Sequence, residues 1–67
     1  MDYGEELRYQ REQHNLSQME LSRKTGIKQQ NISRWESGEV LPNIDFCVKL
    51  ADFYGITLDE LVGREIK

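Results

Sequence analysis

Apolar and polar positions alternate at helical spacing in five short stretches. Each stretch is bounded by residues that start or stop a helix. From about Tyr3 to Gln13, Leu7 is the inward residue, and Asp2, Glu5 and Glu6 gather at the positive end, where acids are favourable. Ser17 followed three residues later by Glu20 is a capping box: the hydroxyl accepts from an N3 backbone N–H and the carboxylate reaches back to the cap N–H. Apolar or small residues follow at Met19, Leu21 and Ser22, and Gly26 suits the left-handed position that ends a helix. The spacing therefore predicts a second helix at about 18–25. A third is predicted at about 29–36, with Ile27, Ile32 and Trp35 inward and Gly38 closing it. Pro42-Asn43 opens a fourth at Ile44, with Asn43 as its cap. There Ile44, Cys47, Val48, Leu50, Ala51 and Tyr54 form one inward face, ended by Gly55. Thr57 and Glu60 are a second capping box, opening a short fifth helix in which Leu58, Leu61 and Val62 are apolar. No segment reads as a strand. The expectation is an all-α, compact five-helix fold, a single domain over residues 1–67, with Ile66 and Lys67 fraying.

The second and third helices meet across a glycine turn, which is the helix-turn-helix arrangement. The second helix of such a pair can lie in the DNA major groove. Here it begins Lys28-Gln29-Gln30-Asn31, a run of long or amide-bearing side chains at the end that would meet base edges. Gln and Asn can make paired hydrogen bonds to adenine N6 and N7.

The chain resembles the Cro/CI-type (XRE-like) helix-turn-helix family of phage repressors and small bacterial transcriptional regulators. The matching stretches are LRYQRE at 7–12, LSQMEL at 16–21, GI at 26–27, ISRWESG at 32–38, LPN at 41–43, KLADFYGI at 49–56 and LDEL at 58–61. No single stretch is specific; their order with short gaps is. The resemblance runs from about Tyr3 to Val62 and implies a lambda-repressor-like domain. It implies base contacts from Gln29, Gln30, Ser33 and Arg34. Arg34 could pair with guanine O6 and N7 or with phosphate. It implies backbone contacts from Gln18, at the first turn of the second helix, and from Arg11. Lys28 and Asn31 are placed with the phosphate contacts rather than the base readers. The resemblance further implies that Arg11 meets Glu36 and holds the reading helix at its angle. The other reading of that pair is two unconnected surface charges, and an exposed pair adds only ~0.2–1 kcal/mol. There are departures from the family pattern: Ser22 and Thr25 stand where small apolar residues are usual, and Lys28 cannot cap the third helix as Ser or Thr would.

Composition sharpens this picture. A 67-residue chain buries only about 60% of its unfolded surface, so the core must be compact. One cysteine excludes an internal disulfide and fits a reducing cytoplasm. One His and one Cys cannot supply a structural zinc site, and no cofactor is expected. No apolar run approaches a membrane span, and MDYGEEL lacks the features of a signal peptide. The net charge of −3 argues at first against DNA. Residues 16–34, however, hold four basic residues against one acid, a balance of +3, while the remainder holds five against eleven, a balance of −6. Local charge governs phosphate contact more than the total does.

The expected function is a non-enzymatic, sequence-specific regulator, chiefly a repressor, that binds double-stranded DNA. A homodimer on a palindromic or near-palindromic operator is expected, with Phe53, Leu58, Val62 and Ile66 as interface candidates. The alternative is a protein-interaction module on the same fold, such as an antitoxin or anti-regulator. Trp35 reads as core. Phe46 and Phe53 read equally as the margin of the core or as an apolar strip for a partner chain. A Cys47–His14 catalytic pair is rejected, because Cys47 faces the core.

Overall fold

A computed structural model describes residues 2–63 of the chain. Its elements are α1 (Tyr3–Gln13), α2 (Gln18–Thr25), α3 (Gln29–Glu36), α4 (Ile44–Tyr54) and α5 (Leu58–Val62), with no strand among the described residues. The expected all-α, five-helix architecture is present.

The helices start where side chains can satisfy their first N–H groups. Asp2 accepts from the Glu5 N–H at 3.1 Å, Asn43 from Phe46 at 2.9 Å and Thr57 from Glu60 at 3.1 Å. The Thr57 capping box is complete, the Thr57 N–H donating back to Glu60 at 3.2 Å. Each such cap contributes about 1 kcal/mol to a helix too short to stand alone.

α1 packs on α3, α2 on α3 and α4, and α5 closes against α1 and α4. Their inward residues, Leu7, Leu21, Ile27, Ile32, Trp35, Cys47, Leu50, Ala51, Tyr54 and Leu61, form one core, with Leu16, Phe46 and Ile56 packed on its margin. Trp35 is buried as expected, and its ring centre lies 5.0 Å from that of Phe46. Phe46 is thus at the margin of the core.

One sequence expectation needs correction. Ile44 and Val48 do not share the buried face of α4; they are 66% and 42% exposed. They stack one turn apart on the exposed side of α4, whereas Cys47, Leu50, Ala51 and Tyr54 are buried in the core. Gly4 lies inside the first turn of α1 and is buried there by a close helix crossing. A Cβ at this position would fall 2.7 Å from the carbonyl oxygens of both Trp35 and Glu36. Only glycine lets α1 approach the end of α3 so closely.

Candidate nucleic-acid interface

The Ser17 capping box fixes the start of α2. Glu20 N–H donates to Ser17 Oγ at 3.0 Å, and Ser17 N–H donates to Glu20 Oε1 at 3.0 Å. The Ser17 backbone and hydroxyl together hold the Glu20 carboxyl below its ordinary pKa. At the other end Gly26 takes the left-handed conformation (φ 79°), and its N–H donates to Ser22 O at 2.8 Å.

The two departures from the family pattern act in this turn. Ser22 Oγ donates to Ile27 O. Thr25 Oγ1 donates to Leu21 O at 2.7 Å and accepts from Ile27 N–H at 3.2 Å. Both backbone groups of Ile27 are therefore satisfied by side chains while its own side chain is buried. The hydroxyls replace packing with hydrogen bonds and hold the turn that aims α3. Sequence reading noted both residues as departures and missed this role; the signal was two hydroxyl-bearing residues flanking the turn glycine.

α3 buries Ile32 and Trp35 and turns its other face outward. Gln29, Gln30, Ser33 and Arg34 are all exposed and together line one shallow, open depression of about 390 Å³. The structure thus brings the four proposed base-contacting residues onto a single surface. Lys28 is exposed at the cap position with no side-chain cap bond, as its chemistry requires, and α3 begins at Gln29. Asn31 is half-buried. Arg34 Nε lies 3.7 Å from Glu39 Oε2, but both side chains are mostly exposed, so this contact holds Arg34 only loosely. Lys49 of α4 adds a cation that sequence spacing could not assign. Its ammonium lies 4.0 Å from where a Gly26 side chain would start, beside the helix-turn-helix turn.

Behind this surface, Arg11 and Glu36 meet as expected, and they are buried rather than exposed. Arg11 Nε donates to Glu36 Oε2 at 2.7 Å and Nη2 donates to Oε1 at 2.8 Å, with side-chain exposures of 11% and 5%. Arg11 Nη1 also donates to Leu16 O at 2.8 Å. Three of the five guanidinium N–H groups are thereby used within the protein, leaving two for any phosphate. The bond to Glu36 raises the Arg11 pKa above its already high ordinary value, against the opposing effect of burial. Gln18, half-buried, donates from Nε2 to Glu36 Oε1 at 3.1 Å. Nearby, burial and the Glu36 carboxylate push the Tyr54 hydroxyl up to about 12, while Arg11 opposes the shift. Among the described residues that hydroxyl has no hydrogen-bond partner.

The interface candidates within the described residues do not line one groove. Leu58 and Val62 line an apolar groove of about 270 Å³ with Tyr3, Leu41 and Ile44. Phe53 lies nine residues beyond Ile44, about 180° around α4, and its ring edges onto Tyr54 at 5.3 Å. Ile66 lies outside the described residues. His14 is exposed, with its ring 4.4 Å from that of Tyr54, and Cys47 is buried, its thiol pKa pushed up by burial. Among the described residues no group of three or more His, Cys, Asp or Glu could hold a metal ion, and no helix is long and apolar enough to cross a membrane.

A helix-turn-helix family model matches residues 7–61. The chain is 34% identical over 65 residues to the HTH-type transcriptional activator BcrR of Enterococcus faecalis, covering 97% of this chain and 32% of that protein. It is 39% identical over 64 residues to the cryptic phage CTXphi transcriptional repressor RstR of Vibrio cholerae, covering 96% of this chain and 57% of that one. A crystal structure of a transcriptional regulator from Listeria innocua matches 97% of this chain and 61% of its own, with a TM-score of 0.81 and 25% identity. The chain thus spans about a third of BcrR and just over half of RstR.

Proposed function

This chain belongs to the helix-turn-helix family, and from that premise we propose that it binds double-stranded DNA sequence-specifically and regulates transcription, with α3 entering the major groove. One observation carries the reading. Gln29, Gln30, Ser33 and Arg34 line a single open surface, while Ile32 and Trp35 anchor the opposite side of the same helix in the core. The amides are suited to adenine and Arg34 to guanine or phosphate. Lys28, Asn31, Gln18 and the two remaining N–H groups of Arg11 are assigned to the backbone. No catalytic step is part of this function. The site of action is the cytoplasm, where the DNA is.

The active form is a two-fold dimer on a palindromic or near-palindromic site. One reading helix spans too few base pairs to single out an operator, and a second copy places another about one DNA turn away, roughly 34 Å. The apolar groove at Leu58 and Val62 supports this as the contact surface. The direction is repression, the activity in the name of RstR; BcrR is named an activator, so a reporter fused to the selected operator decides between them. The alternative protein-interaction module is not favoured, because it would leave the outward amide row of α3 without a role.

The test is selection of bound fragments from random duplex DNA, followed by Gln29→Ala and Gln30→Ala. Each variant is expected to fold normally and to change discrimination by ~1–3 kcal/mol at one or two base pairs. Unchanged base preference in both, or no duplex bound even at low salt, overturns the assignment.

A further inference from the structure

The end of α3 and the start of α2 are joined by one carboxylate. Glu36 Oε1 accepts from both Arg11 Nη2 and Gln18 Nε2, and Glu36 Oε2 accepts from Arg11 Nε. A glutamine amide has two N–H donors on one side and a carbonyl oxygen on the other, and in solution it presents either edge. Bonding to Glu36 removes that choice for Gln18. One N–H is spent on the carboxylate, and the second points away from it.

The surroundings suit an anion at that second N–H. The capping box uses the backbone N–H groups of Ser17 and Glu20. Those of Gln18 and Met19 have no partner among the described residues, so they open the positive end of α2 beside the amide. A bare Glu36 carboxylate would repel a phosphate there. The two-pronged bond from Arg11 offsets its charge while leaving a second lone pair on Oε1 to hold the amide.

We propose that Glu36 is a positioning residue for the DNA backbone contact: it orients the Gln18 amide so that a donor N–H faces phosphate, and it ties that anchor to the end of the reading helix. This rests on the DNA-binding function proposed above. It goes beyond the role of the Arg11–Glu36 pair in setting the angle of α3, because it makes the contribution of Gln18 to binding conditional on Glu36.

The test is a double-mutant cycle on the selected duplex, using Gln18→Met, which keeps the side chain's length and removes its donors, with Glu36→Met, which keeps length and removes the acceptor. Loss of one hydrogen bond to a charged group is expected to weaken binding roughly tenfold when Glu36 is present. In the Glu36→Met background the same change is expected to cost less than about twofold, because the amide is no longer aimed. Glu36→Asp, which keeps a charge for Arg11 and withdraws it from Gln18, repeats the cycle should Glu36→Met fail to fold. In the free protein the hydrogen-bonded side-chain proton of Gln18 should resonate downfield of an ordinary glutamine amide and return to the ordinary position when Glu36 is changed. A tenfold loss from Gln18→Met in both backgrounds, or no loss in either, overturns the proposal. Failure of the unmodified protein to bind any duplex would instead overturn the DNA-binding reading itself.

Discussion

Replacing Arg11 with Met isolates the cost of the buried ion pair. Met keeps most of the aliphatic stem and removes the three donated hydrogen bonds, two to Glu36 and one to Leu16 O. Glu36 is then left 5% exposed with only the neutral Gln18 amide against it. Breaking one side of a buried pair costs about 3–5 kcal/mol, far above the ~0.2–1 kcal/mol of an exposed one. A chain of this size is stable by roughly 3–10 kcal/mol, so the variant should lose a third or more of its total stability. Each kcal/mol lowers the melting temperature of a small domain by about 4–8 °C, which puts the drop at roughly 12 °C or more. Urea unfolding followed by far-UV circular dichroism measures it. The double variant Arg11→Met with Glu36→Leu should recover much of the loss, since a buried pair replaced on both sides by apolar groups is often neutral. A single-variant loss below about 1 kcal/mol would show that the pair is solvated and would refute the argument, including its extension to Gln18.

Three further outcomes follow from packing and ionisation. Trp35→Ala should cost about 3–5 kcal/mol by leaving a cavity beside Phe46; a variant that melts like the parent yet loses DNA would mean that Trp35 faces outward. Gly4→Ala should destabilise by roughly 1–3 kcal/mol in urea despite a better helix former, because the new Cβ meets two carbonyl oxygens at 2.7 Å; equal or greater stability would disprove the close crossing. Tyr54 ionises at about 12 when folded and near 10 when unfolded, so its contribution is fully present below pH 10 and is lost as pH rises toward 12, by roughly 2–3 kcal/mol. Tyr54→Phe should remove that alkaline loss and leave stability at pH 7 equal or higher, since the hydroxyl has no partner among the described residues; a parallel fall of both proteins between pH 10 and 12 would refute the assignment.

The helix boundaries were legible because they are local. Ser17 with Glu20, Asn43, and Thr57 with Glu60 are short-range hydrogen-bonding devices, and the chain obeys each of them. Trp35 was legible through its spacing from Ile32. What was not legible depends on neighbours far along the chain. Periodicity grouped Ile44 and Val48 with the inward residues of α4, but it cannot say how wide a face α2 and α5 cover. The close crossing at Gly4 involves carbonyls more than thirty residues away. The apolar residues near the C-terminal end look like one set in sequence, yet Leu58 and Val62 line the groove beside Ile44, while Phe53 lies about 180° around α4 from Ile44 and packs on Tyr54. The Gln18–Glu36 bond spans eighteen residues and joins two side chains that each had another explanation.

These long-range contacts concentrate at one end of the reading helix. The Gly4 crossing, the Arg11–Glu36 pair, the Gln18 bond and the Trp35 ring all engage the last two residues of α3. The first two residues, Gln29 and Gln30, are exposed and begin without a side-chain cap. The anchoring contacts and the proposed base-contacting residues are therefore divided by face on an eight-residue helix: Gln29, Gln30, Ser33 and Arg34 share the exposed face, while Ile32 and Trp35 are buried. Rigid anchoring at the far end fixes the angle of α3, and the exposed face carries side chains that contribute little to folding. On the base contacts proposed for 29, 30, 33 and 34, substitution there is expected to change which bases are read at small cost to stability, whereas substitution at 35 or 36 alters the frame that holds all four.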